Sequence, residues 1–401
     1  MREHHGMKTS GGPFRGVKVL DLSVMISGPL AGMILADQGA DVIKVESPGI
    51  GDFMRYLGSS KNGMTGIFLN NNRGKRSLVV DLKRPEGVDV LKKLVATSDV
   101  VIQNFRPGAV ERLGIGYDDL RAVNPDLIYV SISGYGPDGP ASGHRVYDNV
   151  IQAASGLASV QTDPQSGEPS LFRTLLCDKV TSLNVAQAIS AALYARASGN
   201  GGGQHIVMAM LDAAVSFLWP DSGMDAVLLD DDANRAPTIA QNYGITRLRD
   251  GFAAMAVVSD SEFRGLCNAC GRPELADDER FSTMVARTAN ASQLVPLLGE
   301  ITSQQPAEAF VKKAQDHDVP AAMIVGLAEL PHQPQVVNNA IFVERDHPVA
   351  GRVREPRPAA RFMGTPSRVG DHAPTPGQHS DQIVNEIGLD AAALRAAGII
   401  A

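Results

Sequence analysis

The N-terminal half of the chain alternates short β-branched runs with helical stretches, and that alternation leaves few folds open. Val17-Lys-Val-Leu-Asp-Leu22 reads as a strand. Gly28-Pro29 opens a helix over Leu30 to Asp37, with Gly39 at its end. Asp41 to Glu46 is the next strand, and the unit repeats: strand Ser77 to Leu82, a helix opened by Pro85, then strand Val100 to Gln103. Proline suits a first helical turn because its missing N–H would be unpaired there anyway. Asp126 to Ser133 is a further strand, and a helix follows Asp178, closing at Gly199. Gln204 to Met210 is another strand and Leu211 to Leu218 another helix. Strands and helices at this spacing predict right-handed crossovers and an α/β fold, a mostly parallel sheet with helices on both faces.

Beyond this region the pattern changes. From Pro220 to Gln241 periodicity weakens and acids cluster at Asp230, Asp231 and Asp232, so 221–242 reads as a linker. A smaller α/β unit is expected over 243–340, with a strand at Ala253 to Val258. Residues 341–401 turn Pro-rich and finish in a short helix from Ser380, as an extended return to the large domain begun by 14–220. With 401 residues, two or three domains fit. An apolar content of 44% with 20% charge excludes a disordered, collagenous or coiled-coil chain. No stretch approaches the roughly 20 apolar residues of a membrane helix, and Met1-Arg-Glu-His-His-Gly lacks a signal peptide's apolar core. Three cysteines make no disulfide framework, so a cytoplasmic protein is expected. A net charge of −7 argues against nucleic-acid binding, though not against a local basic pocket.

Most motifs read as structural. Gly134-Tyr-Gly-Pro-Asp-Gly139 matches a dinucleotide fingerprint, but Pro137, Pro140 and Gly143 leave no helix to meet a pyrophosphate. Neither nicotinamide nor flavin is therefore expected. Cys267-x-x-Cys270 has no second pair, so the thiols read as buried and no metal site is expected. His5, His144, His205 and His317 lack partner acids at motif spacing. More informative is a basic cluster of Arg73, Lys75, Arg76, Lys83, Arg84, Arg106 and Arg112 in an acidic chain. Several members fall at strand ends, where open parallel sheets bind ligands, and arginine offers a planar fork to phosphates. The alternative is a solvated face. Asp178 precedes the longest helical pattern, where an aspartate serves as N-cap. The same position would hold a carboxylate ionised at the positive end of the helix dipole, and an ionised carboxylate can attack an acyl carbon.

Taken together, the motifs have a familiar order. Val19-Leu-Asp-Leu-Ser, Ser27-Gly-Pro, Leu35-Ala-Asp and Gly39 to Glu46 resemble the opening of the class III coenzyme A transferases, the formyl-CoA and carnitine CoA-transferase family. The resemblance continues through Lys75 to Lys83, Gln103-Asn-Phe-Arg-Pro-Gly108, Ser133 to Gly136, Tyr147-Asp-x-x-x-Gln-Ala-x-Ser-Gly156, Gly271 to Asp278 and Pro376 to His379. It implies a Rossmann-like large domain built from both chain ends, a small domain on long linkers, and an interlocked homodimer. It also implies that coenzyme A passes from an acyl-CoA to a carboxylic acid. Asp178 matches the nucleophilic aspartate, which forms a mixed anhydride and then an aspartyl-CoA thioester. Backbone N–H groups at the helix start are candidate donors to the developing oxyanions. Asp148 matches an acidic active-site position, and Ser27, Val80, Lys83, Asn104, Phe105, Arg112 and Arg145 match positions that contact coenzyme A.

The departures bear on specificity. Ile26 stands where formyl-CoA enzymes carry a glutamine, and Ala236 to Gln241 shows no glycine-rich flap. Formate and oxalate are therefore poor substrate choices, and Ile26 favours a larger or less polar acyl group. A racemase of α-methylacyl-CoA is the alternative within the superfamily, but Tyr147 occupies the position of its basic histidine. A tyrosine with a pKa near 10 is a poor base at neutral pH. A non-catalytic CoA-binding homologue would have lost Asp178.

Overall fold

The computed structural model describes residues 11–164, 166–235, 238, 240 and 243–401. Within them the chain divides into two units, one of 11–220 with 340–401 and one of 221–339. His5 lies outside the described residues, as does most of Ala236 to Gln241.

The first unit is built on six strands. They are β1 (Lys18–Asp21), β2 (Asp41–Glu46), β3 (Lys75–Val79), β4 (Val100–Gln103), β5 (Ile128–Ser133) and β6 (Gln204–Ala209). Their order is β3-β2-β1-β4-β5-β6 and every neighbouring pair is parallel. This is the doubly wound order, whose chain direction switches between β1 and β4. The longer helices of this part of the chain include α1 (Ser27–Asp37), α2 (Pro85–Val95), α3 (Asp148–Ala154) and α4 (Leu176–Ala197), with α5 (Met210–Ser222) following β6.

Strand period sorts the side chains into two cores. Leu20, Ile43, Val101 and Tyr129 face α2 together with Ile383, Ile399 and Ile400 of the returning segment. Their chain neighbours Val19, Val42, Val100 and Ile128 face the other way, onto Leu35 of α1 and Val185 and Ile189 of α4. Burial of both faces explains why these strands are continuously apolar rather than alternating. Because α1 and α4 cover one face and both start at the carboxyl edge of the sheet, their N-termini meet there.

The strand expected at Ser77 to Leu82 lies at Lys75–Val79, and Val80 instead bridges antiparallel to Ile400. The returning segment is not simply extended. It contains a hairpin, β10 (Phe342–His347) and β11 (Gly351–Pro356), numbered after three strands of the second unit. Those three, β7 (Ile245–Leu248), β8 (Gly251–Met255) and β9 (Ala321–Met323), form an antiparallel sheet in the order β9-β8-β7. Helix α6 (Asp260–Cys270) follows, opened by the reciprocal Ser259–Glu262 capping box and closed by Gly271 in the left-handed region. Cys267 and Cys270 lie buried at its end, and burial first raises each thiol to about 11.

Candidate active site

The site begins with the loop between β1 and α1. Five backbone polar groups of this loop are held by side chains. Asp21 accepts from the Ser23 N–H and hydroxyl, and Lys44 donates to the Ser23 carbonyl. The Asn104 amide pairs with both the N–H (2.9 Å) and the carbonyl (2.7 Å) of Val24. The Met25 N–H donates to Asp52 at 3.1 Å. Met25 itself sits at φ 69°, a left-handed conformation that a methionine keeps only when its surroundings over-determine it. Beneath the loop, Lys44–Asp52 (2.9 Å) and Lys75–Asp21 (2.8 Å) are ion pairs with no exposed side-chain surface. The Lys75 ammonium uses all three donors, on Asp21, Asn72 and the Pro29 carbonyl in the first turn of α1. Burial lowers its pKa to about 8 despite the adjacent Asp21.

This scaffold delivers Ser27, the first residue of α1, to Asp178. The Ser27 hydroxyl donates to Asp178 Oδ1 at 2.5 Å. Asp178 is the third residue of α4 and not its N-cap, which is Leu175 with no side-chain capping bond. The cap expected of Asp178 is supplied from elsewhere: Asp148 Oδ1 accepts from the Asp178 N–H at 3.0 Å. Asp148 is buried, and its Oδ2 accepts from Gln152 Nε2 at 2.6 Å. Gln152 also bonds the backbone of Phe172 and Thr174, pinning the segment that leads into α4.

Burial pushes the Asp178 carboxyl up to about 6. Ser27 opposes this and the negative charge of Asp148 adds to it. The carboxylate is thus ionised at neutral pH, but with a raised pKa rather than the low one its helix position implied. A half-buried carboxylate of this kind is a stronger base than a solvated one. The neighbouring Cys177 thiol is fully buried and pushed up to about 12, first by burial and then by Asp148 and Asp178. It takes no part as a thiolate.

The expected helix-start donors are largely committed. The Leu176 N–H donates to Thr174 O and the Asp178 N–H to Asp148. Most of the basic cluster is also committed. Arg73 pairs with Asp37, Lys75 with Asp21, Arg76 with Asp41 and Glu386, and Arg84 with Glu86. The Arg73, Lys75 and Arg76 pairs hold strands and helices together, because a cation removed from water requires a partner, whereas the Arg84–Glu86 pair lies at the surface. Lys83, Arg106 and Arg112 are exposed and have no ion-pair partner among the described residues. Lys83 follows β3, and Arg106 and Arg112 follow β4, at the same carboxyl edge as Asp178. Arg145 is exposed just before Asp148. Phe105 is half-buried against the α2-side core. The Val80 side chain is sealed in that core and its N–H donates to the Glu46 carbonyl, and both ends of the Asn104 amide are spent on Val24. Tyr147 is 67% exposed and caps α3 without a side-chain bond. No helix begins at Gly134 to Gly139, and a Cβ on Gly134 would meet Val146 at 2.2 Å. His205 is no orphan: it bonds the Ser131 hydroxyl at 2.9 Å and stacks on Tyr117.

Sequence reasoning quoted Gln152 within the Tyr147-Asp motif but gave it no role, and it missed the pairs beneath the loop. The available signal was a lysine, Lys44, inside a strand buried on both faces.

Comparison with known proteins identifies the family. The CoA-transferase family III profile matches residues 14–380. The chain is 36% identical over 391 residues to the succinate–glutarate CoA-transferase of Agrobacterium fabrum, covering 94% of this chain and 96% of the relative. It is 32% identical over 379 residues to the human succinyl-CoA:glutarate CoA-transferase, covering 94% and 86%. A CAIB/BAIF family protein from Brucella suis superposes with a TM-score of 0.83 at 34% identity, over 94% of this chain and all of that one. With the profile spanning nearly the whole sequence and the parallel sheet shared with a solved relative, the chain belongs to CoA-transferase family III, and it is an enzyme of that family.

Proposed function

We propose that Asp178 is the nucleophile through which this enzyme moves coenzyme A from an acyl-CoA thioester to a carboxylic acid. The ionised carboxylate adds to the thioester carbonyl, the C–S bond breaks, and CoA thiolate leaves an acyl-aspartyl anhydride. The thiolate then attacks the aspartyl carbonyl of that anhydride, the donor acid departs, and an aspartyl-CoA thioester remains. The acceptor carboxylate attacks this thioester and frees the thiolate again. A final attack of the thiolate on the acceptor's acyl carbon gives the new acyl-CoA and restores Asp178. Dividing the exchange in this way replaces one difficult step by several activated ones.

One observation carries the reading: a half-buried carboxylate stands where the first turns of α1 and α4 meet, held by Ser27 and set against a second carboxylate, Asp148. Its pKa of about 6 leaves it charged yet basic at neutral pH. Asp148 acts here as the group that fixes the α4 turn and the direction of Asp178. Lys83, Arg112 and Arg145 are the proposed contacts for the phosphates of coenzyme A, with Phe105 beside the adenine and Ser27 lining the approach, while Asn104 shapes the loop through Val24. Residues 14–220 and 341–401 form the CoA-binding domain in this reading, with 221–242 as linker and 243–340 as small domain. The relatives act on succinate and glutarate by name, which supports small carboxylic acids as substrates. An interlocked homodimer belongs to the same reading. Large exposed apolar side chains such as Leu229, Leu327 and Met363 support further burial. The three buried free cysteines support a cytoplasmic setting.

The test is direct. Incubation with acyl-CoA followed by mass spectrometry is expected to find an acyl or CoA adduct on Asp178. Asp178→Ala is expected to abolish both adduct and exchange, and full exchange by that variant would remove the assignment.

A further inference from the structure

A series of side-chain hydrogen bonds crosses three strands on the α2 side of the sheet and ends at the loop after β4. Gln103, the last residue of β4, is 4% exposed and lies opposite Ser131 of β5. Its Oε1 accepts from the Phe105 N–H at 2.8 Å, and its Nε2 donates to the Ser131 hydroxyl at 2.8 Å. The same hydroxyl bonds Nε2 of His205, on β6, at 2.9 Å. The backbone decides the direction of every bond. The Phe105 N–H can only donate, so the Gln103 carbonyl faces it and the amide NH2 faces Ser131. Ser131 therefore accepts from Gln103 and spends its own proton on His205, whose Nε2 is the acceptor nitrogen.

The far end is held in the form this direction requires. The His205 ring stacks on Tyr117 with centroids 4.8 Å apart and meets Tyr129 edge-on at 5.5 Å. Burial lowers its pKa against the pull of Asp118 and Glu111, which favours the neutral ring. At the near end, Asn104 stands between Gln103 and Phe105 and is spent on Val24, so the tripeptide also ties this loop to the one after β1. These two loops flank the switch point of the sheet, where doubly wound folds bind their ligands. Arg106 and Arg112 rise from the β4 side of it, exposed and without an ion-pair partner among the described residues.

We propose that Gln103 is a positioning residue for coenzyme A: Ser131 and His205 lock its amide, and its carbonyl sets the Phe105 backbone so that the ring meets the adenine. The inference rests on the proposed placement of the adenine beside Phe105. None of the Gln103 bonds reaches Asp178, so Gln103 acts on the nucleotide half of the coenzyme and leaves the acyl chemistry alone.

Calorimetry on the whole chain with coenzyme A, adenosine 3′,5′-bisphosphate and pantetheine as probes tests this. Gln103→Leu is expected to weaken coenzyme A and the bisphosphate alike, by about two- to tenfold, the scale of one hydrogen bond, with pantetheine unmoved. Ser131→Ala keeps the acceptor for Phe105 but frees the amide to turn. It should show the same selective loss to a smaller degree, and it carries the test should Gln103→Leu not fold. Phe105→Ala probes the adenine site itself and should weaken the bisphosphate at least as much as Gln103→Leu. An equal loss for all three probes in the Gln103 or Ser131 variant would overturn the proposal as a general defect of the sheet. Bisphosphate affinity unchanged in those variants but lost in Phe105→Ala would overturn it while leaving the adenine placement standing. Affinity unchanged in Phe105→Ala as well would remove that placement and the proposal together, with Asp178 untouched.

Discussion

Replacing Ser27 by alanine should move the pH at which the enzyme becomes active. In the wild type the Asp178 carboxyl sits at about 6, raised by burial and by Asp148 and restrained by Ser27. The serine hydroxyl favours the charged form through a 2.5 Å bond. A hydrogen bond to a charged group is worth about 1.5–3 kcal/mol, and one pKa unit is 1.36 kcal/mol, so its loss amounts to about one to two units. Asp178 is therefore expected near 7 to 8 in Ser27→Ala, on the order of one to two units above its present value. In the proposed mechanism attack requires the carboxylate, so activity should rise with pH through this pKa, and the acid limb should shift to higher pH in the variant. At neutral pH the ionised share falls from about nine-tenths to about half or less. The assay is the rate of Asp178 adduct formation in single turnovers, measured across pH with a fixed acyl-CoA. A limb that stays in place, or shifts to lower pH, would refute the role given to Ser27. A drop in rate that is equal at every pH would do the same, because it would point to lost geometry instead of lost charge.

Two further outcomes follow from the same geometry. Asp148→Asn removes a charge that raises the Asp178 pKa, so its acid limb should shift to lower pH, opposite to Ser27→Ala, in the same single-turnover assay. Lys44→Met leaves Asp52 buried without its cation, and urea unfolding should show a loss of about 3–5 kcal/mol.

The large architecture was legible because it rests on period and punctuation. β2 and β4 run where the apolar runs place them, and Pro85 opens α2. Positions defined by long-range pairing were less so. β3 is offset because Val80 leaves the ladder to bridge Ile400, a partner more than three hundred residues away. The β10–β11 hairpin was hidden among prolines and arginines because its strands are half-exposed and alternate weakly. At the site, Asp178 was conspicuous before a long helix, but its true position in that helix depends on Leu175 and on a cap lent by Asp148, thirty residues upstream. The basic cluster misled because sequence carries charge but not pairing. Asp21, Asp37 and Asp41, which neutralise Lys75, Arg73 and Arg76, all precede it by long separations. Ser27 emerged from the resemblance alone, as no local spacing relates it to Asp178.

The seam along β3 has a consequence for biosynthesis. Ser77 exchanges hydrogen bonds with His379, and Val79 is covered by Ser380 and Ala401, so this border of the sheet is closed by residues translated about three hundred codons later. At roughly 5–20 residues per second, a nascent chain carries the bare strand for about 15–60 s before its cover emerges. An uncovered strand is a template for pairing with other chains. Lys75 and Arg76 at its start give that waiting border positive charge, a feature that discourages such pairing. Yield in a cell should accordingly depend on elongation speed through 221–339 as much as on the stability of the finished sheet.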